Sequence, residues 1–200
     1  MANMEFWFDF ASTYSWLTAS RIETVAERKG VKVAWRPILL GPIFKAQGLD
    51  TSPFNIYPIK GAYMWRDVAR LAEQYGLPAV KLPDTFPQNS ILAARVGLVA
   101  LNHTWGKNYC RDVFSAEFET GAPIDDPERL KSLLEPHCSD PSAILEAAVM
   151  PENKLLLRNQ TERATDLKIF GAPSFTTAGG ELFWGDDRLE MALDWALDKG

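Results

Sequence analysis

Apolar and polar positions alternate over residues 1–40 in a pattern that predicts two strands joined by a helix. Phe6, Phe8 and Phe10 occupy every second position, which is typical of a strand with one buried face. A helical pattern follows and ends at Gly30, and the segment VKVAWRP then alternates again. Two strands that are connected through a helix are expected to run parallel with a right-handed crossover.

Between residues 41 and 150 the apolar positions recur at helical spacing, which predicts a block of helices. Helix starts are indicated where Asp126 and Asp140 each precede a proline, because aspartate caps a helix and proline suits its first turn. One exception is the segment 40–61, which holds three prolines and three glycines. We expect this segment to be a long irregular connection, and loops of such length are usually functional or mobile.

After residue 150 the pattern again predicts strands together with helices, as it does over residues 1–40. A helical segment leads to the short strands SFTT and ELFW, which a glycine-rich turn joins into a hairpin, and a final helix follows. The whole order predicts an α/β protein with a thioredoxin-like fold (β-α-β … α-β-β-α) that carries an all-helical insertion after its second strand. The thioredoxin-like domain would be discontinuous, over residues 1–40 and 151–200, and the helical insertion domain would span residues 41–150.

Composition narrows the classes of function. A net charge of −5 and a pI near 5.1 argue against nucleic-acid binding, which needs clustered basic residues. No stretch approaches the apolar length of a membrane span, and the start MANMEFWF has no signal-peptide pattern. Cys110 and Cys138 form no motif, so we expect reduced structural thiols in a cytoplasmic protein. His103 and His137 lack companions at metal-ligand spacing, so no metal is expected.

Three hydroxyl residues, Ser12, Thr13 and Ser15, crowd the predicted junction between the first strand and the first helix. A dithiol oxidoreductase needs two cysteines at such a helix start, and their absence here rules out intrinsic redox chemistry. The anion-binding helix terminus remains, and a hydroxyl on it can donate a hydrogen bond to a thiolate that a cofactor brings in. The simpler alternative is that Ser12 only caps the helix, which would contribute roughly 1 kcal/mol.

The chain resembles the 2-hydroxychromene-2-carboxylate isomerase family in six separate blocks along nearly its whole length: FDFASTYSWL, GPIFKAQG, KGAYMWRD, FPQNS, FGAPSF and LFWGDDRLEM. Those enzymes are relatives of kappa-class glutathione transferases and of DsbA-type oxidoreductases. One departure is Thr13, since the family commonly has proline between the serine and the following Tyr or Phe. The resemblance implies glutathione as the cofactor and a homodimer.

The resemblance also implies roles for individual residues. Ser12 would be catalytic, because it would hold the glutathione thiolate. Ala172 would pair with the cysteinyl backbone next to a cis Pro173, and Asp187 would hold the γ-glutamyl ammonium. Simpler readings are a turn proline, and aspartates that only cap the last helix. The full set of expected glutathione-binding residues is Ser12, Thr13, Tyr14, Ala172, Pro173, Trp184, Gly185, Asp186 and Asp187.

Phe44 and Asn89 are expected to contact an aromatic substrate, although Asn89, like its neighbour Ser90, is equally suited to cap the helix that follows it. The expected reaction interconverts 2-hydroxychromene-2-carboxylate-type compounds and benzylidenepyruvates, with glutathione as a borrowed nucleophile. Two alternatives stay open at this point. One is a kappa-like glutathione transferase or peroxidase with the same cofactor, and the other is a redox-inactive thioredoxin-like module that binds peptides.

Overall fold

The computed structural model describes residues 3–199, and a mixed sheet lies at its centre. β1 and β2 pair in parallel, whereas β3 pairs antiparallel with both β1 and β4, which gives the spatial order β2-β1-β3-β4. The expected parallel pair and the expected hairpin are therefore both confirmed. The strands are β1 (Asn3–Phe8), β2 (Lys32–Pro37), β3 (Ser174–Thr177) and β4 (Leu182–Trp184).

Most of the rest of the described chain is helical. Asp126 and Asp140 cap two of them through hydrogen bonds from the amides of Glu128 and Ala143, both 3.0 Å, as the sequence predicts. None of the helices within residues 3–199 is long and apolar enough to cross a membrane. The helices are α1 (Thr13–Lys29), α2 (Leu40–Ala46), α3 (Pro53–Ile56), α4 (Pro58–Gln74), α5 (Ile91–Ala100), α6 (Gly106–Phe118), α7 (Pro127–Leu134), α8 (Pro141–Val149), α9 (Pro151–Asp166) and α10 (Leu189–Lys199).

The expectation of an irregular connection over residues 40–61 is wrong for most of that segment. It contains α2 and α3 and the first turn of α4, and Pro53 and Pro58 lie in first turns, where a missing N–H costs nothing. The first amide of α2, on Leu40, donates to Asp9 Oδ2 at 2.7 Å. That cap comes from the end of β1, so local sequence gives no sign of it.

The three phenylalanines of the first strand pattern are fully buried and lie in the main core. Phe8 contacts Phe6 and Phe10 at ring-centroid distances of 5.0 and 5.2 Å, and it lies 5.7 Å from Phe114 on α6. Burying a phenylalanine contributes about 1.5–3 kcal/mol to stability, so this row contributes strongly. One continuous cluster of buried side chains thus joins the sheet to the helical block. The division into two domains stays a prediction.

Candidate active site

The junction between β1 and α1 is built around Ser12. Its backbone is extended (φ −100°, ψ 115°), and its Oγ accepts a hydrogen bond from the amide of Ser15 at 3.2 Å, so the capping role is real. The next two amides, on Thr13 and Tyr14, have no acceptor within residues 3–199. The start of a 17-residue helix therefore presents two free N–H donors and the positive end of its dipole.

The other two hydroxyls at this junction point away from the helix start. Thr13 Oγ1 donates to Met64 Sδ on α4 at 3.0 Å, and Thr13 is 2% exposed. Ser15 Oγ is buried without a hydrogen-bond partner within the described chain. Of the three hydroxyls, only that of Ser12 faces the loop that precedes β3.

That loop brings Ala172 next to Ser12. The Ser12 hydroxyl donates to the Ala172 carbonyl oxygen at 3.1 Å, although 160 residues separate the two in sequence. The peptide bond between Ala172 and Pro173 is cis, as expected, and Pro173 accepts from the amide of Gly185 at 3.0 Å. Two chain segments that the sequence analysis singled out independently are therefore in direct contact.

All eleven residues that the sequence analysis named for the site line one cavity of about 990 Å³. A volume of this size lies at the upper end of the usual range for small-molecule sites. Their roles as ligands stay predictions, but their convergence on one space does not depend on any ligand. The eleven are Ser12, Thr13, Tyr14, Phe44, Asn89, Ala172, Pro173, Trp184, Gly185, Asp186 and Asp187.

The two adjacent aspartates have opposite environments. Asp186 is 2% exposed, and its carboxylate accepts hydrogen bonds from Thr18 Oγ1 at 2.8 Å, from Tyr75 Oη at 2.8 Å and from Arg21 at 3.2 Å. That carboxylate is committed to holding the turn against α1 and α4. The Asp187 side chain is 72% exposed and, among the residues that the structure describes, pairs only with its neighbour Arg188 at 2.9 Å. Asp187 therefore has the carboxylate that a ligand can reach.

Trp184 forms part of the cavity wall because a glycine makes room for it. Its indole packs on Phe170, with ring centroids 5.0 Å apart, and 52% of Trp184 stays exposed. A Cβ atom at Gly171 would lie 2.6 Å from the indole Nε1, so any other residue would displace the ring. Gly185, which follows, has a φ of 108°, a conformation that side-chain-bearing residues rarely adopt.

Aromatic side chains from several segments also line the cavity, among them Phe44, Phe54, Tyr63 and Phe86. Asn89 also lines the cavity, and its Oδ1 accepts from the amide of Ile91 at 3.1 Å, which supports the first turn of α5, although the N-cap residue of that helix is Ser90.

One face of α4 contributes residues that the sequence analysis missed. Lys60, Met64, Asp67 and Leu71 recur at spacings of four, three and four, and all four line the cavity. Tyr14 Oη donates to Asp67 at 2.9 Å. Within the described residues, Lys60 is the one Lys or Arg among the lining side chains. The helical spacing was a usable signal, but it could equally indicate a core face.

Two buried carboxyl groups lie behind the site. Burial raises the pKa of Asp9, which lines the cavity floor, against the lowering effect of hydrogen bonds from Leu40, Ser90 and Ala11. Glu117 is fully buried on α6, and neither of its oxygens has a hydrogen-bond partner within residues 3–199. Burial, and secondarily the charge of Asp9, raise the pKa of Glu117 well above its usual value, which favours its neutral acid form.

Comparison with known proteins agrees with this geometry. The model of the DSBA-like thioredoxin domain matches residues 3–195. The 2-hydroxychromene-2-carboxylate isomerase of Pseudomonas sp. (strain C18) is 31% identical over 195 residues, which cover 94% of this chain and 87% of that relative. The chain belongs to the 2-hydroxychromene-2-carboxylate isomerase family, within the DSBA-like thioredoxin proteins.

Further relatives extend the comparison. A solved structure of a 2-hydroxychromene-2-carboxylate isomerase superposes with a TM-score of 0.84 at 28% identity, covering 98% of this chain and 94% of that one. A kappa 2 glutathione S-transferase of Caenorhabditis elegans is 26% identical over 98% of this chain and 92% of its own length. The DsbA-like thioredoxin fold and the kinship with kappa-class transferases, both expected from the sequence, are thus confirmed.

Proposed function

We propose that this member of the isomerase family is a glutathione-dependent isomerase of aromatic catabolism of the naphthalene type. It would interconvert 2-hydroxychromene-2-carboxylate-type compounds and trans-o-hydroxybenzylidenepyruvates. The observation that carries the proposal is the position of Ser12. Its hydroxyl lies at a helix start with two unpaired amides, next to Ala172, in a cavity large enough for a tripeptide and an aromatic ring.

The residues around Ser12 fit glutathione along its length. The backbone of Ala172 is suited to pair with the cysteinyl residue as an added strand. Beyond it, the amides of Asp186 and Asp187 have no acceptor within residues 3–199 and would meet the γ-glutamyl carboxylate. The exposed Asp187 carboxylate would hold the γ-glutamyl ammonium. The buried Asp186 would act indirectly, because its bonds to α1 and α4 fix the turn that carries those amides.

The chemistry that glutathione supplies when bound is a thiolate, which can add reversibly to a conjugated substrate carbon and so permit rotation about the former double bond. The chain's part is to hold that sulfur as an anion. A thiol with an ordinary pKa of about 8.5 is mostly protonated at pH 7, and amides at a helix start lower that pKa. The candidate donors at this helix start are the amides of Thr13 and Tyr14 and the Ser12 hydroxyl, which donates to Ala172 in the free protein.

The aromatic side chains that line the cavity suit the substrate. Phe44, Phe54 and Phe86 offer ring faces and exclude water. Lys60 Nζ lies 5.7 Å from the Phe54 ring centroid, and we propose that it binds the substrate carboxylate. Lys60 is one helical turn, about 5–6 Å along α4, from Met64, which contacts Thr13. That spacing is short enough for one small molecule to reach both Lys60 and the sulfur site.

A second candidate is a kappa-like glutathione transferase, which the similarity to kappa-class proteins favours. The two candidates share the cofactor site and differ in the fate of the substrate. Ultraviolet spectra of a hydroxychromene carboxylate and of a halogenated aromatic, each followed with glutathione, separate them. We expect reversible isomerisation of the first and little conjugation of the second; the opposite pattern would establish the transferase.

Titration calorimetry with reduced glutathione tests the shared premise. We expect binding at millimolar ligand or below, and its absence would favour a peptide-binding module over either enzyme.

We also propose that the protein acts in the cytoplasm as a homodimer, as the resemblance implies. Small-angle scattering tests the assembly, because a particle of 22.4 kDa would be a monomer and would contradict it.

A further inference from the structure

The Ser12 hydroxyl has one proton, and that proton is already in use. A serine hydroxyl can donate one hydrogen bond and accept two. Here the oxygen accepts from the Ser15 amide at 3.2 Å and the proton goes to the Ala172 carbonyl oxygen at 3.1 Å. In this arrangement Ser12 presents no donor to a sulfur atom. The group that the proposed function needs for the thiolate is therefore turned toward the protein itself.

The acceptor that holds the proton is also the atom that a docked peptide would use. A strand-like ligand that pairs with the backbone of Ala172 places its own N–H on that carbonyl oxygen. An amide N–H that takes the lone pair used by the Ser12 hydroxyl replaces that hydroxyl, although the carbonyl oxygen has a second lone pair. Ser12 would then lose its acceptor, while its bond from Ser15 keeps the oxygen in place.

We infer that docking of a cysteinyl amide N–H on Ala172 releases the Ser12 hydroxyl to donate to the sulfur of the same ligand. This inference rests on the proposed glutathione site and adds a coupling to it. The change is a rotation of the hydroxyl hydrogen about the Cβ–Oγ bond and needs no movement of heavy atoms. The two unpaired amides of Thr13 and Tyr14 remain available to the sulfur throughout.

The coupling makes the site selective for thiols that carry an adjacent amide. A thiol without an N–H in that position leaves Ser12 bonded to Ala172 and gains only the two amides as donors. A cysteinyl peptide gains these amides and the hydroxyl. The site would thus bind the thiolate of glutathione more strongly than the thiolate of a small thiol of equal acidity. The difference is the Ser12 hydroxyl, which donates to the sulfur of glutathione but stays bonded to Ala172 when the small thiol binds.

The first test uses the unaltered protein and two ligands. One is glutathione, and the other is its ester analogue, in which oxygen replaces the cysteinyl N–H and the thiol is kept. The pKa of each bound thiol is read from the ultraviolet absorbance of the thiolate. We expect the ester's thiol to titrate about one unit or more higher than that of bound glutathione, as loss of one hydrogen bond to a charged group implies. Equal pKa values for the two bound thiols would overturn the inference.

The second test uses the Ser12→Ala variant and measures binding alone. Its ligands are glutathione and γ-glutamyl-α-aminobutyryl-glycine, in which a methyl group replaces the thiol. In the unaltered protein the methyl analogue must displace the Ser12 hydroxyl and gives it no new acceptor. In Ser12→Ala the Ala172 carbonyl is already free. We therefore expect the variant to bind the methyl analogue about threefold more tightly and glutathione about tenfold more weakly, as one hydrogen bond of each kind predicts.

The opposite signs are the decisive feature of the second test. If Ser12→Ala weakens both ligands alike, or leaves the methyl analogue unchanged, Ser12 and the ligand do not exchange at Ala172 and the inference is wrong. If glutathione fails to bind the unaltered protein at all, it is the proposed function that fails. Thermal melts of the variant show whether it is folded at the temperature of the titration, and the ester comparison requires no variant.

Discussion

The guanidinium of Arg21 and the carboxylate of Asp186 form an ion pair 3.2 Å across, with the Asp186 side chain 2% exposed. Arg21 also donates to the Asp186 carbonyl oxygen at 2.8 Å and lies over the Tyr75 ring, 4.6 Å from its centroid. The pair ties α1 to the turn before α10, and this turn is the proposed γ-glutamyl site. Asp186 therefore has a structural role, whereas the contact of the exposed Asp187 with a ligand is the part that we propose.

We expect Asp186→Asn to destabilise the protein by about 2 kcal/mol, because it removes the buried one of the two carboxylates that pair with Arg21 and leaves only the more exposed Glu190. The matched control is Asp187→Asn, one residue away and largely exposed. It should change the free energy of unfolding by less than about 0.5 kcal/mol and weaken glutathione binding about fivefold. Urea denaturation and calorimetry on both variants check this division. Equal stability losses in the two variants would contradict it.

Thr13 occupies the first helical position, where the family commonly has proline. Its amide has no acceptor within the described chain, and the extended backbone of Ser12 suits a residue before proline. We expect Thr13→Pro to stabilise the free protein by roughly 0.4–1 kcal/mol through its effect on the unfolded chain. It should also raise the pKa of bound glutathione, since one amide donor is lost.

Thr13→Val is the matched control, because it keeps the amide and loses only the hydroxyl that donates to Met64. Thermal melts and the ultraviolet titration of bound glutathione are measured on both variants. A thiolate pKa that Thr13→Pro leaves unchanged would show that this amide takes no part. A lower melting temperature for Thr13→Pro than for Thr13→Val would contradict the assigned shape of the helix start.

The raised pKa of Glu117 makes stability depend on pH. Its pKa is raised in the folded protein, while the unfolded chain ionises near the ordinary value of about 4.3. The folded state therefore binds more protons above that pH. The stability due to this group is fully present below about 4.3 and is lost as pH rises toward the folded pKa.

Glutamine does not titrate, so we expect the Glu117→Gln variant not to lose this part of its stability as the pH rises. Relative to the variant, the unaltered protein should lose about 1.4 kcal/mol per pH unit from just above pH 4.3 up to the folded pKa of Glu117. Urea denaturation at several pH values between 4.5 and 7 measures the difference. Parallel stability curves for the two proteins would mean that Glu117 is ionised in the folded state.

Lys60 provides a prediction on the substrate side. We expect Lys60→Met to raise KM for an aromatic carboxylate about tenfold while leaving glutathione affinity unchanged, because the variant keeps the apolar stem and removes the charge. Lys45→Met, also near the cavity but not among its lining residues, serves as the control. An unchanged KM, or a loss of glutathione affinity instead, would place the carboxylate elsewhere.

Much of the sheet, and the convergence of the expected site residues on one cavity, could be predicted from the sequence because their signals are local. Alternation at Phe6, Phe8 and Phe10 marks a strand with one buried face, and a hydroxyl cap followed by helical spacing marks the start of α1. Short blocks such as FGAPSF then indicate the family, and the fold of that family implies which segments lie next to each other. This is how Ser12 and Ala172 could be brought together across 160 residues.

What the sequence did not predict depends on contacts between distant segments. The capping of α2 by Asp9 joins the end of β1 to a segment that looks irregular by itself. Asp186 and Asp187 look equivalent in the sequence, and only the hydrogen bonds of Asp186 with Arg21 and Tyr75 distinguish them. Lys60 lies on a helical face that could equally have been a core face. In each case tertiary packing decides between two local readings.

The central claim is that Ser12 holds the thiolate on which isomerisation depends, and Ser12→Ala tests it most directly. The variant loses a helix cap worth roughly 1 kcal/mol, so it should remain folded at assay temperature, which a thermal melt verifies. The measurement is the rate of isomerisation of a 2-hydroxychromene-2-carboxylate at saturating glutathione. We expect kcat to fall about 100-fold or more, as loss of one preorganised donor to an anion typically causes. Isomerisation by Ser12→Ala at the rate of the unaltered protein would contradict the account.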